Sequence, residues 1–267
     1  MSQLFCGIDF GTTNSSAAVS DGAQVRVLPL DPHNDNPMSL PSLLYITDEG
    51  HTIVGRRAAN AFIERNVDRE VLLKQVDLGI DIEGYVAAEP DKSEAYRPGT
   101  ADPNVREAVR AHAMVEVNAP GRLFQSLKTL LRHRGFTGTE VFGIHYQIEE
   151  LVSIILRQMK RELDEATGAP VTKAVFGRPV RFSEREEEDQ AAERRLRLAA
   201  ELAGFEEVVF FYEPVGACVE YAMEADRRQR LMVVDIGGGT CDVCIMEFGG
   251  AAHEADRLSQ SRILSVA

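Results

Sequence analysis

Leu231 to Glu247 reads LMVVDIGGGTCDVCIME. An apolar, β-branched run (Leu231 to Val234) ends in an acid, Asp235. Gly237, Gly238, Gly239 and Thr240 follow, and then a second run in which Cys241, Val243 and Ile245 alternate with Asp242 and Cys244. That order spells strand, glycine turn, strand. The first strand delivers Asp235 to the lip of a cleft. The glycines leave backbone N–H groups bare, so anionic oxygens approach within hydrogen-bonding distance, and Thr240 adds a hydroxyl donor. Consecutive N–H groups favour phosphate, while the acid suits Mg²⁺, held directly or through water. A plain hairpin with a glycine-rich bend is the alternative for this stretch taken alone.

The same device stands near the start of the chain. Phe5 to Val19 reads FCGIDFGTTNSSAAV: a short apolar strand, Asp9, Gly11, the paired Thr12 and Thr13, Asn14, and a second strand. Aligning Asp9 with Asp235 puts Gly11 on Gly237. Two acid-bearing hairpins of this kind imply two related half-domains facing each other across one polyphosphate.

Composition bounds the alternatives. The 267 residues carry a net charge of −13 and are 44% hydrophobic, enough for one large core or two modest ones. No basic stripe with interleaved aromatics is visible, which argues against nucleic acid. No apolar run approaches the length of a membrane span, and no basic, apolar leader opens the sequence, so a cytoplasmic protein is expected. The four cysteines (Cys6, Cys218, Cys241, Cys244) are too few for a disulfide framework. Cys241 and Cys244 spell C-x-x-C, but i and i+3 of a strand point to opposite faces, so both read as strand or core residues.

Between the hairpins, Ala23–Leu28, Leu43–Ile46 and Thr52–Val54 read as strands. The Pro- and Asn-rich stretch Asp31–Pro41 reads as a loop, and RRAANAFIER after Gly55 as a helix. Residues 68–120 read as an inserted subdomain, with possible helix fragments at Val71–Val76 and Val105–Val115 broken by Gly84, Pro90, Pro98, Pro103 and Pro120. His112 and His133 read as solvated. Arg122–Arg134 has an amphipathic stripe (Leu123, Leu127, Leu130, Leu131) with Lys128 among it. No G-K pair occurs, which excludes a Walker-type loop, and on this segment alone Lys128 reads as a solvated helix lysine. Ile148–Ala166 is the clearest helix, stopped by Gly168. Val171–Phe176 is a strand running into Gly177, Arg178 and Pro179. Ser183–Ala203 is a charged helix expected to start at a Ser183 cap, its run Glu186–Asp189 reading as a solvated face. Val208–Phe211 is a strand, and Glu213 sits between it and a helix over Val215–Ala225, a usual place for a functional acid in an open α/β sheet.

Together GIDFGTTNSSAAV, FQSLKTLL, YEPVGACVEYA and VVDIGGGTCDVCI resemble the ATPase domain of the 70-kDa heat-shock chaperones, most closely the short YegD-type branch of the DnaK relatives. The resemblance implies an α/β, actin-like ATPase with ribonuclease H-like lobes. Residues 1–38 and 146–223 would form the first lobe, 39–145 an insertion in it, and 224–267 the start of a second, incomplete lobe. It implies ATP or ADP with Mg²⁺, and K⁺ as a further candidate. Asp9 and Asp235 resemble the acids that organise Mg²⁺. Gly11, Thr12, Thr13, Asn14 and Gly237 to Thr240 resemble the phosphate contacts. Lys128 resembles the lysine that orients the attacking water, and Glu213 the acid that helps position that water and the metal. Asp242 resembles a monovalent-cation ligand, and Pro179 the proline that couples nucleotide state to the rest of the molecule.

The implied function is Mg-dependent ATP hydrolysis driving conformational change in a chaperone, with client proteins or co-chaperones as partners. The spacing from Pro179 to the Ala203-Gly204-Phe205 turn is longer than in typical members, which puts dependence on J-domain co-chaperones in question. The family's adenosine-binding motif lies outside these residues, so the expectation is a fragment with weak or absent turnover of its own. The alternatives are a small-molecule kinase of the sugar-kinase type or a phosphatase of the same superfamily, and a module that senses nucleotide without hydrolysis.

Overall fold

The computed structural model describes residues 4–87, 101–224, 227–248 and 262–267. Pro90, Pro98, Ala225 and residues 249–261 of the expected second lobe lie outside them. Two compact units are present, Asp68–Pro120 and the remainder of the chain.

The larger unit begins with β1 (Phe5–Phe10), β2 (Asn14–Ser20), β3 (Val25–Val27) and β4 (Leu40–Pro41). β1, β2 and β3 form an antiparallel meander, and β4 pairs with the start of β2. Next come β5 (Leu44–Thr47), β6 (Thr52–Val54) and α1 (Arg56–Asn66). The N-terminus of α1 has no capping side chain of its own. Asp31, 25 residues upstream, accepts the Arg56 N–H at 2.7 Å instead.

The smaller unit is a hairpin of β7 (Leu73–Ala87) and β8 (Ala101–Glu116), antiparallel from Leu73↔Glu116 to Ala87↔Ala101. The helix fragments expected at Val71–Val76 and Val105–Val115 are therefore corrected to strand. Both stretches are rich in valine, and cross-strand pairing satisfies their backbone where a helix of a few residues would not nucleate.

Returning to the larger unit, β9 (Gly121–Phe124) pairs with β5, and α2 (Leu127–Leu130) is a single turn entered through Ser126 in the left-handed region (φ 56°). This corrects the helix expected over Arg122–Arg134. The backbone of Gly121 to Phe124 is taken up by the β5 edge, while Leu127 and Leu131 still reach the core. β10 (Gly138–Val141) and β11 (Ile144–Gln147) form a short hairpin leading into α3 (Ile148–Thr167). A reciprocal cap between Gln147 and Glu150 starts α3, and Gly168 at φ 69° stops it. β12 (Lys173–Arg178), α4 (Glu186–Ala203), β13 (Glu207–Tyr212) and α5 (Glu213–Glu224) follow. Ser183 does not cap α4, whose N-cap is Arg185; the Ser183 hydroxyl bonds the Glu188 carboxylate instead.

The main sheet runs β13-β12-β1-β2-β3, its first three strands parallel and the rest antiparallel. One face is covered by α3 and α4. Leu151, Val152, Ile155, Leu156, Met159 and Leu163 of α3 are wholly buried there with Phe10, Phe176 and Leu196. Each such side chain contributes about 1.5–3 kcal/mol. Phe176 meets Phe205 and Phe210 edge to face at 5.3 and 6.4 Å. The opposite face leaves Phe5, Val175, Val209 and Phe211 exposed. β14 (Gln229–Ile236), β15 (Cys241–Phe248) and β16 (Arg262–Val266) form an antiparallel sheet, on which Val215 and Cys218 of α5 pack beside Cys244, Met246 and Phe248.

Candidate functional site

Parallel pairing of β1, β12 and β13 brings their C-terminal ends to one sheet edge, where open α/β sheets place their ligands. Asp9 stands at that edge on β1, Gly177 on β12, and Glu213 just past β13. A side chain at residue 177 would crowd both acids: a β-carbon there would lie 3.1 Å from Glu213 Cγ and 3.7 Å from Asp9 Oδ1. Glycine thus allows two carboxylates to share one floor.

Lys128 completes the group from the single turn of α2. It is buried, and its Nζ donates to Glu213 Oε1 at 2.7 Å. The reading of Lys128 as a solvated helix lysine is corrected accordingly. Burial pushes the Glu213 carboxyl up. The Lys128 charge and hydrogen bond oppose that rise, and the charges of Asp9 and Asp242 add to it. The Asp9 side chain keeps access to solvent, yet loss of hydration among the surrounding groups pushes its carboxyl up as well; Lys128 pulls it down and Asp235 pushes it up. Asp235 and Asp242 lie directly opposite each other across β14 and β15. Asp242 is buried, and its Oδ1 accepts the Val180 N–H at 2.7 Å. Its Oδ2 is also buried and has no hydrogen-bond partner among the described residues.

Four carboxylates with one ammonium form a set short of positive charge. Hard oxygen donors of this kind are the type that Mg²⁺ or a monovalent cation takes. Among the described residues no three of them are grouped closely enough to hold a metal ion by themselves, so phosphate oxygens or water would have to complete the set.

The two glycine turns meet over this set. Each has a tight backbone: a side chain at Gly11 would collide with the Asn14 carbonyl, and the Gly237 N–H donates to the Thr240 carbonyl at 3.0 Å. A β-carbon at Gly238 would strike the Thr13 hydroxyl, and one at Gly239 would lie 3.0 Å from Thr12 Oγ1 and 3.1 Å from Thr129 Cγ2. Thr12, Lys128, Pro179, Gly239 and Thr240 border a cavity of about 20 Å³. Asp9, Lys128, Glu213 and the two glycine turns are thus brought close together. Asn14 closes the first turn with its backbone, its side chain exposed at the start of β2, where it pairs with Pro41.

Sequence reading missed the supports. Ser42 holds the first turn: its N–H donates to Thr13 O and its hydroxyl to Gly11 O, each at 2.8 Å. Arg178, beside Pro179, is buried between the rings of Phe182 and Tyr212 and bonds Asp189 (3.0 Å) and Glu193. Asp189 was expected on a solvated face; it is largely buried and also accepts the Phe182 N–H at 2.6 Å. An arginine before a proline and an acid 11 residues later, in the first turn of the next helix, follow no spacing rule that joins them. Cys241 is exposed and Cys244 buried, as strand alternation requires. Cys244 instead meets Cys218, whose thiol burial and this contact push up to about 12, the condition of an inert core thiol.

Among the described residues no helix is long and apolar enough to cross a membrane. Residues 125–257 match the family model described as Hsp70 protein, a stretch that contains Lys128, Pro179, Glu213, Asp235 and the second glycine turn. That match supports the Hsp70 family for this chain and, with it, a nucleotide-binding chaperone-type domain on an actin-like ATPase fold.

Proposed function

We propose that the chain carries the catalytic part of an ATP-hydrolysing chaperone near the YegD-type branch, with residues 1–38 and 146–223 as its first lobe, 39–145 as an insertion and 224–267 opening a second lobe. The observation that carries the reading is the buried Lys128–Glu213 pair beside Asp9, at the point where two glycine turns from opposite ends of the chain meet. In this reading Gly11 to Asn14 and Gly237 to Thr240 hold the phosphates through backbone N–H groups and hydroxyls. Asp9, Asp235 and Glu213 would hold Mg²⁺, which when bound neutralises charge on the phosphate oxygens. Asp242, through its unpartnered Oδ2, would hold K⁺. Lys128 orients the attacking water and donates toward the γ-phosphate, and the raised carboxyl of Glu213 is placed to exchange a proton with that water. Little covalent chemistry is asked of the protein; catalysis is positioning and charge neutralisation.

Pro179 ends β12 where Val180 is tied to Asp242 of the second hairpin and Arg178 is tied to α4. A shift of the hairpin on hydrolysis would pass through that bond to α4, the proposed route to clients and co-chaperones in the cytoplasm.

The test is Mg²⁺-dependent phosphate release and ATP binding by the full-length gene product. Release without any added acceptor, abolished in Lys128→Ala with binding retained, supports the ATPase. Release that requires a sugar acceptor would point to the kinase, binding without release to the sensor, and wild-type turnover in Lys128→Ala would sink the scheme.

A further inference from the structure

Away from the hairpins, a cleft of about 990 Å³ opens between α3, the loop at Asp31 and the β6–α1 corner. Its walls carry Arg57 from α1 and Arg157, Lys160 and Arg161 from α3. In a chain of net charge −13 such a grouping needs an account of its counter-charges. The acids of the cleft have partners of their own, and one of them neutralises Lys160. Asp31 accepts the His33 and Arg56 N–H groups at 3.1 and 2.7 Å. Asp164 takes Lys160 at 2.9 Å and the Val171 N–H at 2.7 Å. Glu162 accepts from the Gln158 amide; burial and then the Glu165 charge push its carboxyl up, and Arg161 opposes that rise.

None of the three guanidinium groups is hydrogen-bonded to a carboxylate among the described residues; Arg161 meets only the charge of Glu162, without a bond to it. Arg157 donates to Leu202 O (3.3 Å) and Ser153 Oγ (3.0 Å), and Arg161 to Gln158 Oε1, all neutral acceptors. Arg57 has no hydrogen bond or ion pair among the described residues. Arg110, Arg134, Arg178, Arg185, Arg228 and Arg230 each bond an acid, whereas Arg26, Arg122 and Arg132 also donate to neutral acceptors, so what sets the cleft apart is three such guanidinium groups around one apolar floor. Between the arginines the cleft is apolar, with Ile53, Val54, Tyr146 and Ile154 half-buried along it. Planar, always-charged forks around an apolar floor match oxyanions on a hydrophobic body, and the volume lies within the usual range for small-molecule sites.

We infer that this cleft is a binding site for a small organic polyanion, with phosphate or carboxylate groups on an apolar or aromatic body, separate from the nucleotide hairpins. Arg57, Arg157 and Arg161 take its oxygens and Tyr146 and Ile154 its body. The test is fluorescence anisotropy of 8-hydroxypyrene-1,3,6-trisulfonate, an aromatic trianion, titrated with the whole chain. Saturable one-to-one binding is expected, weakened at least tenfold in Arg57→Ala/Arg161→Ala. It should be unchanged in Arg134→Ala/Arg185→Ala, which removes the same charge from exposed, acid-paired positions. Circular dichroism checks that each variant is folded. Phenyl phosphate and phthalate as competitors separate a phosphate from a carboxylate preference, and displacement by either supports the site. Absence of saturable binding, equal binding by the Arg57/Arg161 variant, displacement by hexaglutamate alone, or equal loss in Lys128→Ala would each overturn it. The last outcome would put the probe at the hairpins, so this test and that of the ATPase fail in different ways.

Discussion

Lys128→Met removes the one cation from a group of four carboxylates, and its cost follows from geometry. The Lys128 and Glu213 side chains are 7% and 17% exposed and meet at 2.7 Å, so the pair is buried rather than a surface bridge. Removing one partner of such a pair costs about 3–5 kcal/mol because the other charge stays desolvated. Glu213 keeps some solvent contact, so the lower end applies: about 3 kcal/mol at pH 8, or roughly 6–12 °C in Tm for a chain of this size. Glu213→Leu should cost a similar amount by stranding the ammonium. The double variant Lys128→Met/Glu213→Leu leaves no uncompensated charge of the pair and should cost about 1 kcal/mol or less, far below the sum of the singles.

The pH dependence has a definite sign. Burial, Asp9 and Asp242 already hold the Glu213 carboxyl above its ordinary range, and Lys128 is what pulls it back. Without Lys128 it rises further, so the folded state binds a proton that the unfolded state has released. Stability of Lys128→Met is therefore highest below the unfolded carboxylate pKa and is lost as pH rises through the folded one. Its deficit against the parent should shrink steadily from pH 8 to pH 5 in urea unfolding. Singles that cost less than about 0.5 kcal/mol, additivity in the double variant, or a deficit that grows on acidification would refute the argument.

Asp9→Asn should raise Tm near pH 7, because the raised carboxyl of Asp9 costs stability once ionised; the gain should vanish below pH 4, and a variant destabilised at pH 7 by calorimetry would contradict it. Gly238→Ala drives a methyl into the Thr13 hydroxyl and should weaken nucleotide binding at least tenfold while costing about 1–3 kcal/mol; Gly238→Ala/Thr13→Ala should recover part of the stability in a thermal melt. Arg178→Ala leaves Asp189 and Glu193 facing each other at a largely buried site and should cost about 3 kcal/mol in urea, against less than about 0.5 kcal/mol for Arg185→Ala on the exposed start of α4.

The limits of the sequence reading have a common physical origin. Whatever depends on neighbours along the chain was legible: the alternation of β1 and β15, the stripe of α3, its glycine stop, and the acid-glycine-threonine order of both turns. What depends on a partner far away was not. Gly121 to Phe124 look like the first turn of a helix until β5, some 80 residues earlier in the chain, supplies an edge for them to pair with. The valines of β7 and β8 have helix-compatible spacing until each strand is given the other. Lys128 is the sharpest case. Its local sequence places it on a solvated helix; its burial comes from Glu213, 85 residues away, and from the glycine at 177 that lets Glu213 and Asp9 stand close enough to need a cation. Only the resemblance to a family singled it out from the sequence. The glycine turns were readable because a turn's chemistry is local, whereas the lysine between them acquires its role from charges that three other segments bring to it.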